Sequence, residues 1–253
     1  MSNKLKYIGI IPARYASTRF PGKPLAMVAG KMMIERVYEQ ALKCLEHVYV
    51  ATDDKRISDA VEGFGGKAVL TSADHKSGTD RCAEAVRIAE ATEKTTFDVV
   101  INIQGDEPFI QPSQIQKLMA CFTDPDVRIA TLVTPLNDKE QLFDPNKVKV
   151  VADKHLNAIY FSRAVIPFLR NHENRDEWIS NHRFYLHIGI YAYRKRILEQ
   201  ITKLHPSELE VAESLEQLRW IENGFKIKLG ITAYESIGID TPGDLDRVNK
   251  TSG

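Results

Sequence analysis

The chain carries no net charge: 34 Lys plus Arg offset 34 Asp plus Glu among 253 residues. That absence disfavours a dedicated nucleic-acid binder, which needs a basic excess. It says less about small anions, because a few clustered cations can be balanced by acids elsewhere. Cysteine is scarce. Cys44, Cys82 and Cys121 form an odd set without CxxC spacing, which disfavours a disulfide scaffold or structural zinc site and fits a reducing compartment. No run approaches the roughly 20 apolar residues of a membrane span. The apolar stretch Ile8–Ile11 is cut by Pro12 and Arg14, so no signal peptide is read there. These absences set the expectation of a cytoplasmic protein with no membrane insertion and no nucleic-acid partner. GxGxxG, HExxH and GxSxG are all missing, which disfavours dinucleotide folds, zinc hydrolases and serine hydrolases. A Walker A loop is missing too: Ser17 stands five residues before Gly22-Lys23, and Pro24 follows. No repeat, low-complexity segment or clear linker interrupts the chain.

What is present is an ordinary globular composition, 43% hydrophobic and 27% charged. The first half alternates apolar runs with helical periodicity. Tyr7–Ile11, His47–Thr52, Lys67–Leu70 and Phe97–Ile103 read as strands. Met33–Cys44 and Arg56–Phe64 read as helices, followed by helices through Cys82, Ala85, Val86 and Ala89 and through Ile115, Leu118, Met119 and Phe122. Strand and helix in this alternation predict a parallel α/β sheet. In the second half, Val148–Ala152, Asn157–Ser162 and Phe184–Tyr193 follow one another as strands with no strong helix between them. The last alternates, with Tyr185, His187, Gly189, Tyr191 and Tyr193 on one face. Asn171–Asn181 reads as a mobile polar loop. Glu213–Gly224 reads as one helix carrying Glu213, Glu216, Gln217 and Arg219. Phe225–Thr232 reads as a strand, and Thr241-Pro242-Gly243-Asp244 as a capped helix start.

Several segments carry candidate chemistry. The loop from Pro12 to Leu25 gathers Arg14, Ser17, Arg19, Gly22 and Lys23 behind the first strand. Ligands of parallel α/β sheets sit at such carboxyl ends, so the loop reads as a polyphosphate site or, more plainly, as a solvated basic loop. Gln104-Gly105-Asp106-Glu107 closes the strongest strand, and Asp240 follows a later one. Acids placed there suit Mg²⁺ or serve as turn and capping groups. Ser77-Gly78-Thr79-Asp80-Arg81 opens a helix and suits either an anion or a plain cap. Ala51-Thr52-Asp53-Asp54 is equally open. In the second half, His187 reads as a substrate ligand or a sheet histidine, and the helix charges as a solvated face.

Taken together and in chain order, these segments resemble the 3-deoxy-manno-octulosonate cytidylyltransferases, or CMP-KDO synthetases. Phe161-Ser162-Arg163, His187-Ile188-Gly189-Ile190-Tyr191, Glu216-Gln217-Leu218-Arg219 and Gly238-Ile239-Asp240-Thr241 belong to the same match, which spans about Tyr7 to Val248. The resemblance implies a mixed, mainly parallel nucleotide-diphospho-sugar transferase-like α/β sheet flanked by helices, with a smaller antiparallel dimerisation region. It implies one nucleotidyltransferase domain over 1–253: a CTP-binding half at about 1–145, a KDO-binding and dimerisation part at about 146–232, and a return to the core at 233–253. It also implies a homodimer that activates KDO for lipopolysaccharide. Catalytic roles fall to Arg14, Lys23, Asp106 and Asp240, the two acids holding Mg²⁺. CTP would meet Ala13, Arg14, Ser17, Arg19, Lys23, Ser77, Thr79, Arg81 and Gln104. KDO would meet Arg163, His187, Tyr191, Glu216 and Gln217. Competing readings are a cytidylyltransferase for 8-amino-KDO or sialic acid, a metal-dependent glycosyltransferase, and a non-catalytic nucleotide-binding regulator. Glycosyltransferases of that kind hold metal with Asp-x-Asp, whereas this chain has Gly105-Asp106-Glu107.

Overall fold

The computed structural model describes residues 5–16, 20–235 and 238–251. In chain order the strands are β1 Tyr7–Ala13, β2 Met27–Val28, β3 Lys31–Met32, β4 Val48–Thr52, β5 Ala68–Leu70, β6 Val99–Asn102, β7 Ile129–Pro135, β8 Lys149–Ala152, β9 Ala158–Ser162, β10 Tyr185–Arg194 and β11 Ile227–Ile231. The helices are α1 Met33–Leu42, α2 Lys55–Gly63, α3 Gly78–Glu93, α4 Pro112–Ala120, α5 Lys139–Phe143, α6 Trp178–Asn181, α7 Lys195–Ile201, α8 Glu208–Glu213, α9 Glu216–Glu222 and α10 Pro242–Thr251. The chain divides into two compact units. The first joins residues 1–116, 192–202 and 236–253; the second joins 117–191 and 203–235.

In the first unit, β6, β1, β4 and β5 lie side by side in that order, all parallel. The residues of β4 and β6 are buried throughout, and Ile8, Ile10 and Ile11 of β1 have no exposed surface. Unbroken apolar strands of this kind are what a sheet covered on both faces demands. The chain builds outward from β1 through β4 to β5, then returns to place β6 on the other side of β1. That reversal opens a crevice beyond the carboxyl ends of β1 and β6, where open α/β sheets bind ligands.

In the second unit, β7 and β11 pair in parallel, β10 lies next to β7, and β8 and β9 extend it in antiparallel fashion. Leu186, Ile188 and Ile190 are buried as their alternation predicts, but Tyr191 and Tyr193 are buried as well. One expectation fails here and one boundary moves. The polar stretch Asn171–Asn181 is not a bare loop. It holds a 3₁₀ turn at Arg175–Glu177 and helix α6, and Trp178 packs with Leu136, Leu142, Phe184 and Leu186. One buried indole outweighs the polarity of its neighbours. The helix expected over Glu213–Gly224 is α9, closed by Gly224 with φ of 78°, but it starts three residues later, because Ser214 with φ of 51° separates it from a further helix, α8. Arg219 spans the break, gripping Glu210 through Nε at 2.7 Å and Nη2 at 2.5 Å.

Candidate active site

The first unit brings Lys23, Asp106 and Asp240 to one point. Lys23 opens a single 3₁₀ turn behind Gly22, which adopts a left-handed φ of 70° and donates its N–H to the Tyr15 carbonyl at 2.9 Å. This hydrogen bond closes the loop behind β1. Asp106 leaves β6 after Gly105, whose Cα lies so close to the chain that an added Cβ would sit 2.9 Å from the Pro12 carbonyl. The Asp240 segment is tied down by the Ile239 N–H, which donates to the Asp106 carbonyl at 3.0 Å. Ile239 itself is buried with Val28 and Met33. Asp244 then accepts from the Thr241 N–H and Oγ1 while Thr241 Oγ1 accepts from the Asp244 N–H, fixing the start of α10 as the sequence predicts. The result is an ammonium, Lys23 Nζ, 2.7 Å from Asp106 Oδ2 and 3.2 Å from Asp240 Oδ1. Burial works to lower the lysine pKa, but the charges and hydrogen bonds of Asp106 and Asp240 prevail and raise it.

Other predicted residues line the same crevice edge. Ala13 is the buried last residue of β1, and Arg14 follows it with a guanidinium hydrogen-bonded to the His75 carbonyl. Ser77 is the N-cap of α3: its Oγ accepts from the Asp80 N–H, and the Asp80 carboxylate accepts from the Ser77 N–H. Thr79 and Arg81 lie in the first turn of α3, both buried. Arg81 donates Nη1 to Thr71 Oγ1 at 2.6 Å and sits 3.4 Å from Asp53. Burial lowers its pKa; the Arg14 charge adds to that, against the pull of Asp53. Gln104 lies just past β6. Ser17 and Arg19 fall outside the described residues.

In the second unit, His187, Tyr191 and Glu216 form one cluster. The His187 ring stands edge-on to Phe161 at 5.1 Å and tilted to Tyr191 at 5.3 Å, and its Nε2 is 3.1 Å from Thr131 Oγ1. Burial depresses its pKa to about 3, so at neutral pH it is an uncharged imidazole. Burial beside the Glu216 charge keeps the Tyr191 phenol protonated. Gln217 is buried next to Glu216 at the start of α9. Arg163 lies at the end of β9, its Nε donating to the Glu213 carbonyl at 2.7 Å and Nη1 to the Pro145 carbonyl at 3.1 Å. The Glu213 carboxylate accepts from the Arg163 N–H at 2.9 Å and Ser162 Oγ at 2.6 Å.

Residues 8–228 match the cytidylyltransferase family model. The chain is 60% identical over 244 residues to the 3-deoxy-manno-octulosonate cytidylyltransferase of Bacteroides thetaiotaomicron, covering 95% of this chain and 96% of that protein. The chain belongs to the 3-deoxy-manno-octulosonate cytidylyltransferase family. Its counterpart in Cytophaga hutchinsonii is 54% identical, with complete coverage of both chains. A solved structure of CMP:2-keto-3-deoxy-manno-octonic acid synthetase complexed with CTP has a TM-score of 0.87 and 42% identity, covering 97% of this chain and 98% of that one. The mixed, mainly parallel nucleotidyltransferase sheet expected from the sequence is therefore the fold of this cytidylyltransferase family member.

Three contributors escaped the sequence reading. Thr131 sits on β7, a strand not recognised in the sequence; its hydroxyl ties His187 to the carbonyls of Ile188 and Ile190. The run Ile129–Val133 is apolar and β-branched, and that signal could have found it. Tyr15 lies flat under the Arg56 guanidinium, 3.3 Å from carbon to ring centroid, and Arg56 is held by Asp54 at 2.6 Å. Glu213 was read only as a helix charge. Its role rests on contacts 50 residues away, and no local signal reveals them. Among the described residues, no helix is long and apolar enough to cross a membrane.

Proposed function

We propose that the protein transfers the cytidylyl group of CTP to the anomeric hydroxyl of 3-deoxy-manno-octulosonate (KDO), giving CMP-KDO and pyrophosphate, and so activates KDO for lipopolysaccharide. One arrangement carries the reading: carboxylates from two distant segments, Asp106 and Asp240, meet a single lysine in a chain whose full-length relatives are named for this reaction. The anomeric oxygen forms a bond to the α-phosphorus of CTP. The bond from that phosphorus to the bridging oxygen breaks, pyrophosphate departs with the electron pair, and the hydroxyl proton is released. Two anions must approach each other, so the chemistry asks for charge compensation and alignment more than covalent help.

Arg14, Arg19 and Lys23 provide the compensation on the pyrophosphate side, and Ala13, Ser17, Ser77, Thr79, Arg81 and Gln104 hold the rest of CTP. Arg163 takes the sugar carboxylate with the N–H groups its backbone contacts leave over. His187, uncharged, exchanges hydrogen bonds with the sugar hydroxyls alongside Tyr191, Glu216 and Gln217. Asp106 and Asp240 fit Mg²⁺: both offer hard oxygen donors, and both already turn toward one cation. Mg²⁺ usually keeps only one or two protein carboxylates and takes its remaining ligands from phosphate and water. When bound, Mg²⁺ supplies charge neutralisation at the phosphates and lowers the pKa of a coordinated hydroxyl.

A cytoplasmic homodimer joined through the antiparallel region completes the proposal; exposed Ile159 on β9 and Val211 on α8 support that surface. The test is pyrophosphate release with each of four NTPs against KDO, 8-amino-KDO and sialic acid, with and without Mg²⁺ after chelation. Selective turnover of CTP with KDO, restored by Mg²⁺, is expected. Preference for another sugar overturns the substrate, and full turnover in chelator overturns the metal. Light scattering after gel filtration checks the dimer.

A further inference from the structure

Lysine is rarely buried without a carboxylate partner. Lys149 has no exposed surface and lies on β8 between two strands, level with Ser162 of β9 and Leu186 of β10. Among the described residues it forms no ion pair. Its ammonium instead donates to the carbonyls of Asp144 at 2.8 Å and Lys147 at 2.5 Å. These two residues bracket a turn that is also closed by Lys147 N–H to the Asp144 carbonyl at 3.1 Å and Asn146 N–H to Asp144 Oδ1 at 2.8 Å. The carbonyl between them, that of Pro145, accepts from Arg163 Nη1 at 3.1 Å. Two cations therefore grip one four-residue turn. Burial and the neighbouring Arg163 charge lower the lysine pKa, against the pull of Asp144 and Glu213.

The Asp144 and Glu213 charges offset part of this positive potential, so what the two cations share is the turn itself, gripped from both sides. On the Arg163 side, Nε and Nη1 each spend one N–H on a backbone carbonyl, of Glu213 and Pro145, and Nη2 lies 3.5 Å from the Ser214 carbonyl. The guanidinium has five N–H groups, so two remain for a ligand, and their direction is set by where the turn holds Nη1.

We propose that Lys149 is a positioning residue for acid-sugar binding: by fixing the 144–147 turn it orients Arg163 toward the sugar carboxylate. The inference rests on the reading of Arg163 as the carboxylate ligand. A lysine that only filled the core would be replaceable by an apolar side chain of similar length, with no bias between substrates.

The experiment compares wild type, Lys149→Met, Arg163→Gln and the double variant by pyrophosphate release, varying KDO and CTP separately. Wild-type turnover tests the functional reading itself, and its absence overturns both. Arg163→Gln should raise the KM for KDO at least tenfold, and a wild-type KM there overturns the inference at its base. Lys149→Met should raise the KM for KDO about tenfold and leave the KM for CTP within twofold. The double variant should be no worse than Arg163→Gln alone, because Lys149 acts through Arg163. Multiplying penalties, or equal rises in both KM values, overturn the proposal. Should Lys149→Met not fold, Asp144→Ala loosens the same turn from its exposed side. It should raise the KM for KDO selectively, and a KM equal to wild type would overturn the proposal.

Discussion

Gly105→Ala is the sharpest perturbation of the candidate site, because its cost can be worked from one distance. The new Cβ would stand 2.9 Å from the Pro12 carbonyl oxygen, 3.5 Å from Ile11 Cγ2 and 3.7 Å from Ile34 Cδ1. The last two are ordinary contacts. The first is not, and backbone must move by about 0.5 Å to bring it to an ordinary separation of 3.4 Å. Neither side can yield cheaply. Pro12 lies inside β1, paired with Ala51 of β4, and Gly105 leads directly into Asp106. Overpacking of this kind costs about 1–3 kcal/mol. For a chain of this size each kcal/mol lowers the Tm by about 2–4 °C, so a fall of several degrees is expected in calorimetry. Displacement reaches Arg14 on one side and Asp106 on the other, and misplacement approaching 1 Å costs up to about a hundredfold in rate. A loss of tenfold or more in kcat for pyrophosphate release should accompany the lower Tm. Gly78→Ala is the internal control. Its Cβ meets Pro12 Cγ at 3.5 Å, and the added methyl removes up to about 1 kcal/mol of unfolded-chain entropy, so its Tm should stay level or rise. A Gly105→Ala variant with wild-type Tm and kcat would refute the reasoning about close approach.

Lys23→Met should abolish most turnover and also lower stability, because the half-buried pair with Asp106 at 2.7 Å is lost along with the exposed contact to Asp240; thermal shift with added Mg²⁺ should be larger in this variant than in wild type, because the two acids are then left facing each other. His187 makes the fold sensitive to acid. Its pKa in the folded state is about 3, below the ordinary 6.5, so the unfolded chain binds the extra proton and stability is lost as pH falls from about 6.5 toward 3. Urea titrations at pH 7 and pH 4.5 should give a smaller difference for His187→Gln than for wild type. Glu210→Gln should cost about 2 kcal/mol at neutral pH by removing a charge-assisted pair with Arg219. The Glu210 carboxyl sits below its ordinary 4.5: burial opposes ionisation, but the Arg219 hydrogen bond and the Ser207 N–H outweigh it. The same stability should therefore vanish in wild type as pH falls through and below 4.5.

Local chemistry accounts for what was legible in the sequence. The α10 start was readable because Thr241, Pro242 and Asp244 act on each other within four residues. The strands β1, β4 and β6 were readable because burial on both faces leaves an apolar run. Segments were misread where a distant partner decides. Asn171–Asn181 looks like a polar loop until Trp178 finds Phe184 and Leu186. The α8–α9 break is invisible in a periodic pattern, because it depends on Ser214 adopting a left-handed conformation while Arg219 reaches back to Glu210.

The sequence by itself determined the parallel α/β core, the strand ends at which Arg14 and Asp106 emerge, and the family resemblance. All of these rest on periodicity, caps and motifs spanning at most some twenty residues. Its zero net charge only excluded a general polyanion field. Tertiary structure alone decided that Asp106 and Asp240, 134 positions apart, share one lysine. It also decided that His187 is uncharged and that a buried lysine and Arg163 grip the same turn. The physical reason is common to these cases. Charge pairing and desolvation depend on distances of a few ångströms between atoms far apart in the chain, and a one-dimensional pattern carries no information about them until the backbone has closed.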